Sequence, residues 1–532
     1  MSQPDRRTFL RRAAALSSMG VAGPLGLNLS AITEAAAQSA GSGYRALVCI
    51  FLHGGNDAFN TVLATDSTSW QHYRNHRDPS ARNGDGESIA LLAAASSANP
   101  SVSADDPRRL GGVLPIAHAG RAVHTGRQFA LHPSLKQTQQ LYAAGRLAVL
   151  ANVGPLTRPT AKADMSDVRM SKPAKLFSHN DQQSTWLSFK PEGSNPGWGG
   201  RMGDLLARSP LQGVAADSDE AVALKSFTCM TPGNESGWFG SLSLQPYQSG
   251  STRIQELGQN SRIYGSTQLN AAVVSLMSAT TSNNKFVNEH QRIVQRGLRA
   301  GSLIGSKLPA LGLAPWSSPG VTTPSADPKL MYTSAIDGTP KFNALAVQLQ
   351  MVARLIEANR NQPSGLKMSR QLFIVNLGGF DTHDRLIRDH GERMAQLDHA
   401  LAYFDAVLGG MPGGNARDQV TTFTASEFGR TFTSNGDGSD HGWGGHHFIM
   451  GGAVRGTEVY GTFPQYSTAD GQGKFSSPDQ LDNGVLLPST SVDHYAYTLG
   501  RWMGLSGSEL LGILPNLGQF PSGGHDLGFL NA

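Results

Sequence analysis

Apolar positions in this chain fall into two kinds of run. The first kind is short, nearly unbroken and rich in strand formers: residues 44–52, 147–151, 372–377, 420–425 and 448–450. Such runs are expected of strands buried on both faces of a sheet. The second kind recurs at helical spacing. Phe342, Leu345, Leu349, Val352 and Ile356 make one apolar face, and Met394, Leu397, Leu401, Phe404 and Leu408 make another. Shorter helices are predicted over 135–144 and 493–503, and a longer one over 288–308. The order strand, helix, strand across 372–425 predicts a right-handed crossover between parallel strands. The pattern as a whole predicts an α/β fold with a mostly parallel central sheet flanked by helices.

Between these runs the periodicity fades. Residues 66–127 read as an irregular surface excursion, and 311–332, rich in Pro and Ser, as a connecting loop. Residues 200–332 are expected to form an inserted helical and loop-rich subdomain, or a lid, within a single domain spanning 38–532. Residues 1–37 read separately. Asp5-Arg6-Arg7-Thr8-Phe9-Leu10 has the twin-arginine pattern, a mildly apolar stretch follows, and Ala35-Ala36-Ala37 offers a small-residue cleavage site. This predicts export to the periplasm or beyond. No other apolar run is long enough to span a bilayer.

Composition narrows the classes. A hydrophobic content of 39% with 16% charged residues describes a globular chain. The net charge of +4 comes from scattered Lys and Arg with no aromatic-interleaved basic run, which argues against nucleic acid as a partner. Two cysteines argue against a disulfide framework and leave room for one bridge, and Cys49, inside an apolar run, reads as core filler.

Candidate chemistry collects just beyond the strands, where open α/β sheets bind ligands. The first run ends in His53-Gly54-Gly55-Asn56-Asp57, in which Asp57 either caps the next helix or ligates a metal. The 372–377 run ends in Gly378-Gly379-Phe380-Asp381-Thr382-His383. The 420–425 run leads into a Gly-rich loop that carries Glu427, Arg430, Asp437, Asp440, His441, His446 and His447. Carboxylates and imidazoles that meet on one rim suit zinc or manganese, in a one- or two-metal site. Arg430 is a candidate anion clamp, although pairing with Asp437 or Asp440 is the alternative. In the polar cluster 177–186, Ser178, Ser184 and Thr185 are candidate hydroxyl nucleophiles beside the plainer reading of a capped helix start.

The twin-arginine start, the 51–57 and 378–384 segments, and Ser426-Glu427-Phe428-Gly429-Arg430-Thr431 with Asp440-His441-Gly442-Trp443-Gly444-Gly445-His446-His447 together resemble the exported bacterial family called domain of unknown function 1501. That family is similar to the alkaline phosphatase and sulfatase superfamily. The resemblance implies an alkaline phosphatase/sulfatase-like fold and divalent metals at the strand ends, held by Asp57, Asp381, His383, His446 or His447, and either Glu427 or Asp440 with His441. Ser178 is the positional candidate for the nucleophile. The implied activity is hydrolysis of a small anionic ester, phosphate or sulfate. The alternative is a non-catalytic exported binding or assembly protein that keeps the fold. A serine hydrolase of the α/β type lacks its Gly-x-Ser-x-Gly elbow here.

Overall fold

The computed structural model describes residues 43–531 except 79–87, 168–171, 193–195, 217, 234–236, 255–261, 279–282, 361–364 and 367. The twin-arginine segment therefore lies outside the described residues. The architecture is α/β, built on a nine-stranded sheet. Its strands are β1 (Arg45–Leu52), β2 (Leu147–Gly154), β3 (Cys229–Thr231), β4 (Tyr247–Gln248), β5 (Arg370–Leu377), β6 (Val420–Ala425), β7 (Gly445–Met450), β8 (Val459–Tyr460) and β9 (Thr490–Ser491). The spatial order is β8-β2-β7-β6-β1-β5-β3-β4, and β9 also pairs with β2.

Strand β1 lies at the centre because every residue after Arg45 is apolar and buried. Its two side-chain sets serve two cores. Ala46, Val48, Ile50 and Leu52 face the core shared with helices α4 (Ala344–Arg360) and α5 (Leu386–Gly409). Leu47, Cys49 and Phe51 face the core shared with α3 (Trp198–Arg208) and α6 (Val492–Met503). This two-sided burial is what an unbroken apolar strand requires. Cys49 and Cys229 are both buried and form no disulfide.

The expectation of a mostly parallel sheet needs correction, because the sheet is mixed. Strands β5 and β6 both run parallel to β1, which lies between them. Strand β7 runs antiparallel to both β6 and β2. The reason is the connection: no helix follows β6, only a short hairpin of Arg430–Ser434 with Ser439–His441, so the chain returns antiparallel. That hairpin also replaces the expected open loop, and His446 and His447 lie within β7 itself.

Two further stretches are more ordered than their sequence patterns indicate. The 66–127 region contains helix α1 (Ser67–Arg77), and Leu114–Ile116 joins a small sheet with Val62–Ala64 and Phe129–Leu131. The 200–332 region contributes β3 and β4 to the main sheet as well as helices. Among the described residues no helix is long and apolar enough to cross a membrane.

Register places the chemistry. Leu52 pairs with Leu377 and Phe51 with Ala425, so β1, β5 and β6 end at one level. The segments after Leu52, Leu377 and Ala425 therefore emerge side by side, and β7 starts at the same rim because it runs the opposite way.

Candidate metal centre

The rim is assembled by close backbone approaches. Gly54 has φ +116°, and a Cβ there would lie 2.3 Å from the Asp381 amide nitrogen, so only glycine lets the first turn sit against the 378–384 turn. The hairpin is laid over that turn by Ser439 N–H donating to Thr382 O at 3.1 Å. Asp437 takes the Arg385 N–H at 2.9 Å, just before α5 begins. His441 and Arg430 pair across the hairpin and so reach Asp381 together.

Asp381 is the hub. Its Oδ1 lies 2.7 Å from Arg430 Nη1, 3.1 Å from His383 Nε2 and 3.3 Å from His441 Nε2. Its Oδ2 lies 3.4 Å from His179 Nε2. The Nε2 atoms of His383 and His441 are 3.0 Å apart. His179, Asp381 and His441 each offer an atom within 4.8 Å of the others.

The other nitrogen of each ring is already engaged. His179 Nδ1 lies 3.0 Å from Glu427 Oε1, His383 Nδ1 lies 3.2 Å from Asp440 Oδ1, and His441 Nδ1 lies 2.7 Å from the Phe177 carbonyl. A carbonyl only accepts, so His441 carries its proton on Nδ1. Glu427 Oε1 also receives the Gly54 N–H at 2.8 Å, and Asp440 Oδ1 also receives the Asn435 amide at 3.0 Å, as ionised carboxylates do. The same tautomer follows for His179 and His383. Three Nε2 lone pairs are thus aimed at one carboxylate. Lone pairs so placed repel unless a cation sits among them, and rings anchored through Nδ1 by carboxylate or carbonyl are the usual support of metal-ligating histidines.

Electrostatics favour a neutral ligand at His441, whereas at His179 a proton competes with the ion. Burial works to raise the Asp381 pKa, but the hydrogen bond and charge of Arg430, with the charges of His179 and His383, outweigh it and hold the carboxyl below its usual range. The His179 pKa is raised, chiefly by its hydrogen bond to Glu427. That of His441 is lowered, chiefly by burial. Four donor–donor spacings of 3.0–3.4 Å lie near the edge of about 3.3 Å in a tetrahedron with bonds of about 2.0–2.1 Å, as around zinc, with Asp381 Oδ2 meeting His179 and Oδ1 meeting His383 and His441. His179, Asp381 and His441 therefore come close enough to share a divalent ion, and His383 lies against two of the three. Asp381 is 45% exposed, which leaves the cluster open to solvent.

Of the residues singled out by sequence, Asp381, His383 and His441 form the cluster, with Glu427 and Asp440 supporting two of its rings. Both alternatives for the Asp-His pair thus lie at the cluster, His441 against Asp381 and Glu427 behind His179. Arg430 is fully buried, and besides Asp381 its guanidinium donates to Gly54 O and Ser439 O. It pairs with neither Asp437 nor Asp440, and it is engaged with the protein where an anion clamp needs free donors.

The remaining candidates lie apart. Asp57 is fully buried, bonded through Oδ2 to Arg77 at 2.8 Å, and its Oδ1 caps the next helical turn at Phe59 N–H, so its partner cation is a guanidinium. His446 accepts the Asn152 N–H on Nδ1 and stacks on Phe463. His447 packs against Trp186 and Tyr495. Burial pushes both down to about 3. Ser178 spends its hydroxyl on Asp181 at 2.9 Å, at the start of α2 (His179–Ser188).

The functional residue that sequence reading missed is His179. It sits in the 177–186 cluster, where attention fell on hydroxyls. The only local signal was an imidazole beginning a polar helix, more than 200 residues from its partners.

No curated protein and no solved structure matches the chain. Residues 347–514, which carry α4 through α6 and all of the cluster except His179, match the family model described as a protein of unknown function (DUF1501), and this supports the resemblance to that family.

Proposed function

We propose that the chain is a metal-dependent hydrolase acting on a small phosphate or sulfate ester, with one divalent ion, zinc or manganese, held by His179, Asp381, His383 and His441. The observation that carries this reading is the convergence of three Nδ1-anchored imidazoles on Asp381. A bound ion supplies Lewis acidity and positive charge for an ester oxygen. Glu427, Asp440 and the Phe177 carbonyl fix the rings and keep their Nε2 atoms unprotonated toward the ion. Arg430 offsets the charge of Asp381 and holds it in place from below. No Ser, Thr or Cys side chain belongs to the cluster among the described residues, so the attacking oxygen comes from water.

A second reading has its own support. The engaged Arg430 and the bonded Ser178 leave the cluster without a protein-borne nucleophile or anion clamp, as expected of a protein that binds a metal without turnover. Export through the twin-arginine route belongs to either reading and rests on the Arg6-Arg7 pattern.

Elemental analysis of chelator-free protein, with His179→Ala and His441→Ala beside it, tests the metal. One equivalent in the wild type and none in either variant is the expected result; no metal after equilibration with zinc and manganese overturns the proposal. Chromogenic phosphate monoester, diester and sulfate ester substrates then decide between the readings. Turnover lost on chelation supports the hydrolase. A loaded protein inert on all three is the binding protein.

A further inference from the structure

Helix Thr267–Ser278 and helix Lys285–Gly305 form a hairpin whose facing sides are satisfied by one another. Val273, Val274 and Met277 of the first are half-buried, as are Val294 and Leu298 of the second. The long helix is rooted in the body by Ala300 and Ile304, which are buried in the core shared with α4 and α5, and by Arg299 pairing with Asp219 at 2.8 Å.

The outward sides are anomalous. Phe286 and Ile293, seven residues apart, continue outward the stripe that Ala300 begins in the core, yet they are 88% and 53% exposed. On the short helix Leu269, Ala272 and Leu276 make a second outward stripe, with Leu276 75% exposed. That helix carries no charged residue at all. A helix so apolar is ordinarily covered. The two barest of these residues, Leu276 and Phe286, lie near the C-terminal end of the short helix and the N-terminal end of the long one.

Charge identifies what would cover it. Beyond the Arg299 that pairs with Asp219, the long helix bears Lys285, Arg292 and Arg296 against one acid, Glu289, which lies 3.7 Å from Arg292 and 3.6 Å from Arg296, whereas the basic residues of the whole chain are otherwise scattered. A second copy meeting the hairpin face to face would bring two cationic rows together. Nucleic acid would accept the charge but offer no apolar medium for Leu276 and Phe286. A basic helix with bare Phe and Ile on one side matches an anionic lipid surface on both counts.

We propose that this hairpin is a membrane-docking arm that seats its apolar tip in the interface of an anionic bilayer, with the arginine row against the headgroups. The arm would attach the whole protein peripherally. This inference is independent of the metal centre.

The test is co-sedimentation of the full chain with phosphatidylcholine vesicles with and without phosphatidylglycerol, at low and physiological salt. Binding to the anionic vesicles that weakens with salt is expected. The Arg292→Gln/Arg296→Gln pair should lower it about thirtyfold, from roughly fivefold for each charge near the surface. Leu276→Ser/Phe286→Ser should abolish it while metal content stays unchanged. Phe286→Trp, which keeps the apolar tip, should bind and shift its emission to the blue. No vesicle binding by the wild type, or binding indifferent to both double variants, overturns the proposal. A concentration-dependent dimer lost in Leu276→Ser/Phe286→Ser, without vesicle binding, overturns it in favour of a second copy.

Discussion

Two aspartates follow two neighbouring buried strands, and the protein treats them in opposite ways. Asp57, after β1, is fully buried, and Arg77 from α1 supplies its cation. Arg77 also donates to Asn60 and to the Phe432 and Thr431 carbonyls, so that corner is closed. Asp381, after β5, has its buried side closed by Arg430, while its open side faces three imidazole lone pairs. The first corner is complete in itself and contributes to the fold. The second is open to solvent, and there the proposed cation would enter. A carboxylate at a strand end is thus no evidence of a metal; what surrounds it decides.

Breaking the closed corner should have the largest effect. Arg77→Ala strands Asp57 without a counter-charge in the interior, and unfolding in urea should show a loss of about 3–5 kcal/mol. His179→Ala, at the half-exposed open corner, should leave that midpoint nearly unchanged while removing the metal.

The histidines separate in the same way. His446 and His447 are held neutral by burial at about 3, against an ordinary value of 6.5. The unfolded chain binds those protons and the folded chain does not, so stability rises with pH across that window and falls as acid is added. Each should contribute up to about 1.4 kcal/mol per pH unit below pH ~6. His447→Gln should flatten the melting temperature against pH in metal-free protein, and an unchanged slope would contradict the assignment. His179 runs the other way. In metal-free protein its raised pKa gives stability that is complete below its unfolded value and is lost as pH rises through the folded one.

Smaller effects sharpen the open corner. Asp440→Asn keeps the contact to His383 but weakens the acceptor, and metal affinity by titration calorimetry should fall about 10–100-fold. Ser178→Ala removes only the bond to Asp181, and both stability and metal content should hold, within about 0.5 kcal/mol for the former. A loss of metal there would return Ser178 to the site.

Much of this was legible in the chain. The unbroken run 45–52 specified a doubly buried strand because no polar residue interrupts it. The spacings in 342–356 and 394–408 specified helices with one broad apolar face. The Asp381 and His383 turn and the Asp440-His441 pair stood out because polar ligands followed directly on buried strands. The helix beginning at Ser67 was hidden because its apolar content is low. The antiparallel return of β7 was hidden because a single sequence does not show whether a Gly-rich connection folds into a hairpin or crosses over.

The sequence by itself determined the periodicities, hence the elements and the α/β class, and it supplied the ligand types near the strand ends. Tertiary structure alone decided which of them meet. Asp57 and Asp381 are equivalent in sequence context, and only packing puts Arg77 on one and leaves imidazoles facing the other. His179 joins the cluster through the approach of a remote helix start, fixed by Glu427 and the Phe177 carbonyl. The physical reason is range: local propensity acts over a few residues, whereas lone pairs and charges act through space, and register sets that space.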